Sequence, residues 1–139
     1  MTGLAITLPA ATMAAAQPAI ATDSAVFVER MRDNLRSLEP AERLSRGDRV
    51  VTVVSWTRTG GEGSFTITNP LPRAIAYQAS ARDNQEVSVD GGRSWGKLSE
   101  LRIGNRPATP EDVTHMRWRI PALNAARGQG HIAYSGIVR

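Results

Sequence analysis

Residues 49–57 read RVVTVVSWT, and this stretch decides the class of fold that the sequence predicts. Valine, threonine and tryptophan are residues that strands favour. Side chains along a strand alternate between two faces, and the valines here fall on both of them. Because this strand is apolar on both faces, we expect it to lie centrally in its sheet, where a loop could cover its second face.

The chain from residue 24 onward repeats this character in short runs of Val, Ile, Thr and aromatic residues, separated by Gly, Pro, Asn and Asp. Such a pattern is typical of all-β proteins. Phe65 and Ile67 alternate with Thr66, as expected for a half-buried strand. Helical turns are expected only at Leu38–Leu44 and Thr109–Asp112. The predicted fold is an antiparallel β-sandwich with strands at 25–30, 49–57, 64–68, 74–80, 86–89, 94–98, 113–120 and 131–138.

Length and composition narrow the classes of function. A chain of 139 residues fits one domain with its own core. The absence of cysteine excludes disulfides, a cysteine nucleophile and a thiolate metal site. The net charge is +4, but the 17 basic residues are scattered among 13 acidic ones. Nucleic-acid binding needs clustered basic residues, so no nucleic-acid partner is expected.

The first 22 residues differ from the rest because they carry no charged side chain. Ala14–Ala16 precede Gln17 in the small-x-small form that signal peptidase accepts. We therefore expect residues 1–22 to be a degenerate signal peptide, with a disordered Ala/Pro tail as the alternative, and residues 23–139 to be the domain. No run reaches the roughly 20 apolar residues of a membrane span. The expected product is soluble, exported, and periplasmic or extracellular.

Four stretches carry a resemblance to a known family: AVFVER at 25–30, GDRVV at 47–51, TNPLP at 68–72 and DVTHMRW at 112–118. Over about residues 24–139 the chain resembles the exported bacterial Ig-like conserved-repeat domains of unknown function. The resemblance implies an immunoglobulin-like sandwich of about 7–8 strands, and it offers no catalytic residues to carry over. The chain departs from the family in its Gly-rich loop at 58–63 and in its solitary unit.

A second pattern, SVDGGRSW at residues 88–95, matches the S-x-D-x-G-x-x-W of the Asp-box hairpin, through Ser88, Asp90, Gly92 and Trp95. In sialidases this hairpin recurs once per blade on the outside of a β-propeller, away from the catalytic pocket. A propeller needs at least four blades of about 40–45 residues, and this chain has one box. We therefore expect a structural hairpin in which Asp90 accepts hydrogen bonds from turn amides.

Catalytic, metal and cofactor sites are not expected. His115 and His131 fall on different predicted strands, and two ligands without cysteine do not make a zinc site. No G-x-S-x-G elbow marks a serine nucleophile. The paired acids fall in loops or turns, where we expect them to be solvated rather than held in an apolar pocket: Asp83 with Glu86, and Glu111 with Asp112.

The strand predicted at 113–120 suggests a partner surface. Met116 and Trp118 lie on one parity together with Thr114 and Ile120, which makes that side the buried one. The opposite parity carries His115, Arg117 and Arg119. This cationic outer face is the candidate surface for an acidic protein, a glycan or a lipopolysaccharide phosphate.

The sequence therefore predicts an exported interaction or structural module of the cell envelope, without enzymatic activity. One alternative is a small carbohydrate-binding or glycoside-processing domain built on Trp56, Trp95 and Trp118. A sugar platform needs an exposed tryptophan, whereas the sandwich predicts that Trp56 and Trp118 are buried. A further alternative is self-assembly by strand addition, in which residues 1–22 and an edge strand at 25–30 pair with another copy.

Overall fold

The two sheets of the molecule are seen in a computed structural model that describes residues 19–82 and 84–139. The described chain is an all-β sandwich of antiparallel sheets with five and three strands, as the sequence predicts, and a two-stranded hairpin is added to them. No helix in these ranges is long and apolar enough to cross a membrane. The strands are β1 (Ile20–Arg32), β2 (Leu35–Pro40), β3 (Arg49–Arg58), β4 (Phe65–Pro70), β5 (Ile75–Ser80), β6 (Gln85–Ser88), β7 (Arg102–Ile103), β8 (Arg106–Pro107), β9 (His115–Ile120) and β10 (Gln129–Val138), with a short helix α1 (Ala122–Ala125) and 3₁₀ turns at Leu98–Glu100 and Pro110–Asp112.

Strand β3 lies at the centre of the larger sheet, whose order is β2-β1-β3-β10-β5. Val50, Val54 and Trp56 point into the core and are buried, while Val51 and Val53 on the other face are half-buried. The central place predicted from the valines on both parities is confirmed.

The smaller sheet, of order β4-β9-β6, packs on the larger one through aromatic side chains. Trp118 of β9 has no exposed surface and stacks on Tyr134 of β10, with ring centroids 5.9 Å apart. Trp56 of β3 meets Phe65 of β4 edge to face at 5.0 Å. Such aromatic pairs stabilise beyond their buried area by about 0.5–1.5 kcal/mol each. They fix how the two sheets face each other.

The N-terminal strand corrects two expectations. β1 begins at Ile20, and Ile20 lies opposite Arg58 of β3, so residues 20–22 belong to the sheet rather than to a tail. β1 also lies between β2 and β3, so the prediction of an edge strand at 25–30 is wrong, and β2 forms that edge. The predicted cleavage site before Gln17 lies outside the described residues.

Two local predictions are also wrong. Leu38 belongs to β2 rather than to a helical turn, because Asp33 and Asn34 reverse the chain with φ of 51° and 63° and pair β2 with β1. Residues 94–98 form no strand and contribute only a bridge between Val87 and Gly96. By contrast, the predicted turn at Thr109–Asp112 is present as a 3₁₀ turn, in which the Thr109 N–H donates to Asp112 Oδ2 at 2.8 Å.

Candidate functional site

The turn at residues 88–95 closes on the side chains of Ser88 and Asp90. The Gly92 N–H donates to Ser88 Oγ at 2.9 Å, and the N–H groups of Arg93 and Ser94 donate to Asp90 Oδ1 at 3.0 and 2.9 Å. Gly91 and Gly92 have φ of 79° and 90°, values that favour glycine. The backbone therefore turns tightly around one carboxylate.

The same hydrogen bonds act on the charge of Asp90. Its carboxylate also accepts from the Oγ of Ser94 at 2.5 Å and from the Oγ of Ser88 at 2.8 Å. These bonds, those from Ser94 foremost, hold the pKa of Asp90 well below its usual range because they favour the ionised form. Asp90 is thus a turn-forming acceptor, and its bonds leave it unsuited to act as a general acid.

Trp95 links this turn to β9. Its indole N–H donates to the Gly92 carbonyl at 3.1 Å, and the guanidinium of Arg117 lies 4.6 Å from the centre of its ring. The ring of His115 meets it edge on, with centroids 6.5 Å apart. The turn therefore places an aromatic ring against the outward side of β9.

Strand β9 divides as its alternation predicts. Met116, Trp118 and Ile120 are buried, whereas His115 and Arg117 are half-buried and Arg119 is exposed on the other side. We call the outward set, His115, Arg117 and Arg119 with Trp95, the β9 face. At about 3.3 Å per residue, His115 and Arg119 lie roughly 13 Å apart along the strand.

The three predicted residues of the β9 face differ in their side-chain partners. Arg117 is paired, since its Nε and Nη2 lie 2.9 and 2.8 Å from Oε1 of Glu86 on β6. Arg119 donates to the hydroxyl of Ser64 at 3.1 Å and makes no ion pair with a described carboxylate. His115 Nδ1 lies 3.0 Å from Thr114 Oγ1. Arg119 is therefore the uncompensated charge of the set.

A cleft of about 530 Å³ opens beside His115, and we call it the His115 cleft. Its cationic or titratable groups are Arg73, His115 and Arg139, and Glu111 is the acid among its described lining residues. The Arg139 guanidinium donates to the backbone carbonyl of Glu111 at 2.8 Å. Neither Arg73 nor Arg139 was predicted as a site residue, and the one local signal in the sequence is the Pro-Leu-Pro turn that comes just before Arg73. The complete lining is Pro70, Leu71, Pro72, Arg73, Gly91, Glu111, Val113, Thr114, His115 and Arg139.

The tryptophans offer little surface for stacking a sugar. Trp56 is 3% exposed and Trp118 is fully buried, as the sandwich requires. Trp95 is half-buried, and Arg117 lies over its ring. A platform built from Trp56 or Trp118 would need the core to open.

The described residues bring no group of three potential metal ligands together. His115 lies on β9 and His131 on β10, in different sheets and at opposite ends of the sandwich. Two of the four paired acids form ion pairs: Glu86 with Arg117, and Asp112 with Arg106 at 2.7 Å. Asp83 lies outside the described residues.

Comparison of this chain with protein-family models, with curated proteins and with solved structures found no match. The resemblance to exported Ig-like repeat domains and to the Asp-box stays a prediction from the sequence. A proposal about function therefore rests on the fold and on the geometry of the β9 face and the His115 cleft.

Proposed function

We propose that this protein is an exported, non-catalytic interaction module of the cell envelope, which binds an anionic partner through the β9 face and the His115 cleft. The observation that carries the proposal is the pair of arginines Arg119 and Arg73. Both are exposed, and neither makes an ion pair with a carboxylate in the described chain. One lies on the β9 face and the other lines the cleft beside it.

Exposed cations of this kind attract an anionic surface over about one Debye length, roughly 8 Å at physiological ionic strength. Their contribution is greatest for the rate and specificity of association. Binding through them therefore weakens as salt is raised. Arg117 contributes less to this attraction because Glu86 neutralises its charge. We therefore expect Arg119 and Arg73 to make the main contacts with the partner.

The test is sedimentation of the protein with isolated envelope fractions and with purified lipopolysaccharide, at low and high salt. We expect wild-type protein to bind at low salt, and the double variant Arg73→Glu, Arg119→Glu to bind at least tenfold more weakly. The control is Arg43→Glu, Arg46→Glu, an equal change of charge at two exposed positions between β2 and β3. Equal binding by the wild type and by the Arg73, Arg119 variant would contradict the proposal.

Export is tested separately, by the position of the N-terminus in the mature protein. Mass spectrometry of the protein isolated from its native cells is expected to find an N-terminus at or near Gln17, because Ala14–Ala16 have the form that signal peptidase accepts. Mature protein that retains Met1 and stays in the cytoplasm would overturn it.

A further inference from the structure

A second, smaller cavity of about 130 Å³ lies at the end of the sandwich opposite the His115 cleft. β9 runs from His115 at the cleft to Ile120 at this cavity, and β10 runs from His131 at the cavity back toward Arg139 at the cleft. The cavity therefore shares no residue with the β9 face. Its described lining is Trp56, Arg82, Ile120, Asn124, Arg127, Gln129, Gly130 and His131.

The charged side chains that line this cavity are all basic. It holds the guanidinium groups of Arg82 and Arg127, the imidazole of His131 and two side-chain amides, with no acid among the described lining residues. Neither arginine makes an ion pair with a described carboxylate. The Arg82 guanidinium has one backbone acceptor, the His131 carbonyl at 3.4 Å. Donors with uncompensated positive charge around a small space are suited to an anion.

Trp56 supplies an independent observation. The residue is 3% exposed, and its indole N–H has no hydrogen-bond acceptor within the described chain, although the corresponding groups of Trp95 and Trp118 both have one. Gly130 lies against this part of the ring, since a Cβ at that position would be 2.9 Å from Nε1 and 2.7 Å from Cζ2. The buried side-chain atoms without a partner in the described chain are Ser37 Oγ and Gln85 Nε2, and Trp56 Nε1 is not one of them. The Trp56 N–H therefore opens onto the cavity and can donate to a group bound there.

The volume limits what can occupy the cavity. The cavity measures about 130 Å³. Sites for drug-sized ligands measure about 300–1,000 Å³. The space therefore fits one compact group and not a nucleotide or a sugar chain.

We propose that this cavity is a binding site for a tetrahedral oxyanion, a phosphate or sulfate group. Arg82 and Arg127 present planar guanidinium forks, which match the oxygens of such a group. The indole N–H of Trp56 is a neutral donor, and Asn124 and Gln129 add side-chain amides to the lining. The site does not depend on the function proposed for the β9 face.

The first experiment is a titration with inorganic phosphate and with sulfate, followed by ¹H–¹⁵N NMR at the Trp56 indole and at the Gly130 amide. Sodium chloride at equal ionic strength is the control for screening. Saturable shifts at both probes are expected in the wild type. Arg127→Gln and Arg82→Gln are each expected to weaken binding at least tenfold, whereas Arg43→Gln, in the loop between β2 and β3, is expected to leave it unchanged.

The Arg73→Glu, Arg119→Glu variant separates this site from the β9 face. It is expected to bind envelope fractions at least tenfold more weakly and to keep the phosphate-dependent shifts. Shifts that do not saturate, or that are the same in Arg127→Gln as in the wild type, would overturn the proposal. Because Arg127 is exposed, its substitution leaves the fold in place, which the unchanged NMR spectrum away from the cavity verifies.

A second arm distinguishes a free oxyanion from a lipid headgroup. Leu123, 88% exposed on α1 and adjacent to Asn124, would meet a membrane surface that delivered its phosphate to the cavity. Binding to phosphatidylglycerol vesicles, but not to phosphatidylcholine vesicles, with loss in both Arg127→Gln and Leu123→Ser, assigns the headgroup. Saturable binding of inorganic phosphate without vesicle binding assigns the free anion, and a failed phosphate titration contradicts the site whatever the vesicles show.

Discussion

The side chain of Trp118 joins the two sheets by a ring contact and by a hydrogen bond. It stacks on Tyr134, and its indole N–H donates to Ser80 Oγ at 3.1 Å. Trp118→Ala removes both contacts and leaves a cavity, so we expect the free energy of unfolding to fall by about 3–5 kcal/mol. Urea denaturation measures the change. Trp118→Phe, which keeps a ring and loses the donor, is the matched control, and an equal loss in both variants would contradict a major role for packing.

Asp90 makes the stability of the fold depend on pH in the acid range. Its pKa in the folded protein is lowered by its hydrogen bonds to Ser94 and Ser88, so its contribution to stability is complete above the unfolded pKa near 3.8 and is lost as the pH falls below that value. The hydrogen-bonded and ion-paired Asp112, whose pKa is lowered by Arg106, acts in the same direction. We expect Asp90→Ala to lower Tm at pH 7 and to lower it less at pH 3. Thermal melts at the two pH values test this, with Glu62→Gln in the Gly-rich loop as a control expected to show neither effect.

At the scale of single elements, the hairpin of β1 and β2 depends on two residues with positive φ, Asp33 and Asn34. The two-residue turns that suit the twist of a hairpin need this conformation at both positions, and Asn-Gly or Asp-Gly is the preferred pair. A β-branched residue there costs about 1–2 kcal/mol. We therefore expect Asn34→Val to destabilise the protein by that amount and Asn34→Gly to stabilise it slightly. Chemical denaturation of both variants is the measurement, and equal stability of the two would refute the turn.

The same hairpin shows why one strand could not be predicted. β2, LRSLEP, has charged residues and a proline among its apolar ones, and its turn lacks the glycine that would mark a hairpin. Its strand conformation comes from its pairing with β1, which local sequence does not encode. β3 and β9 were predictable because their own alternation matches their burial. Tertiary pairing thus decides the elements whose local preference is weak.

At the scale of the whole molecule, the candidate sites were predictable only where they follow from one strand. The parity of β9 places His115, Arg117 and Arg119 outward. The register that sets Glu86 beside Arg117 could not be read from the sequence, because it depends on the alignment of β6 with β9. Arg82 and Arg127 lie in two different loops, and His131 lies near the start of β10. The fold brings these residues together around the cavity, so their spacing in the sequence does not predict it.

The position of β10 makes the larger sheet depend on a late strand. β10 follows all the other described strands in the sequence, yet it lies between β3 and β5 and supplies Tyr134 to the stack with Trp118. Without β10 the larger sheet is divided in two and the core lacks Ile132 and Tyr134. Pairing between strands so distant in sequence is also slow to form. Completion of the larger sheet therefore waits for β10 to pair with both β3 and β5.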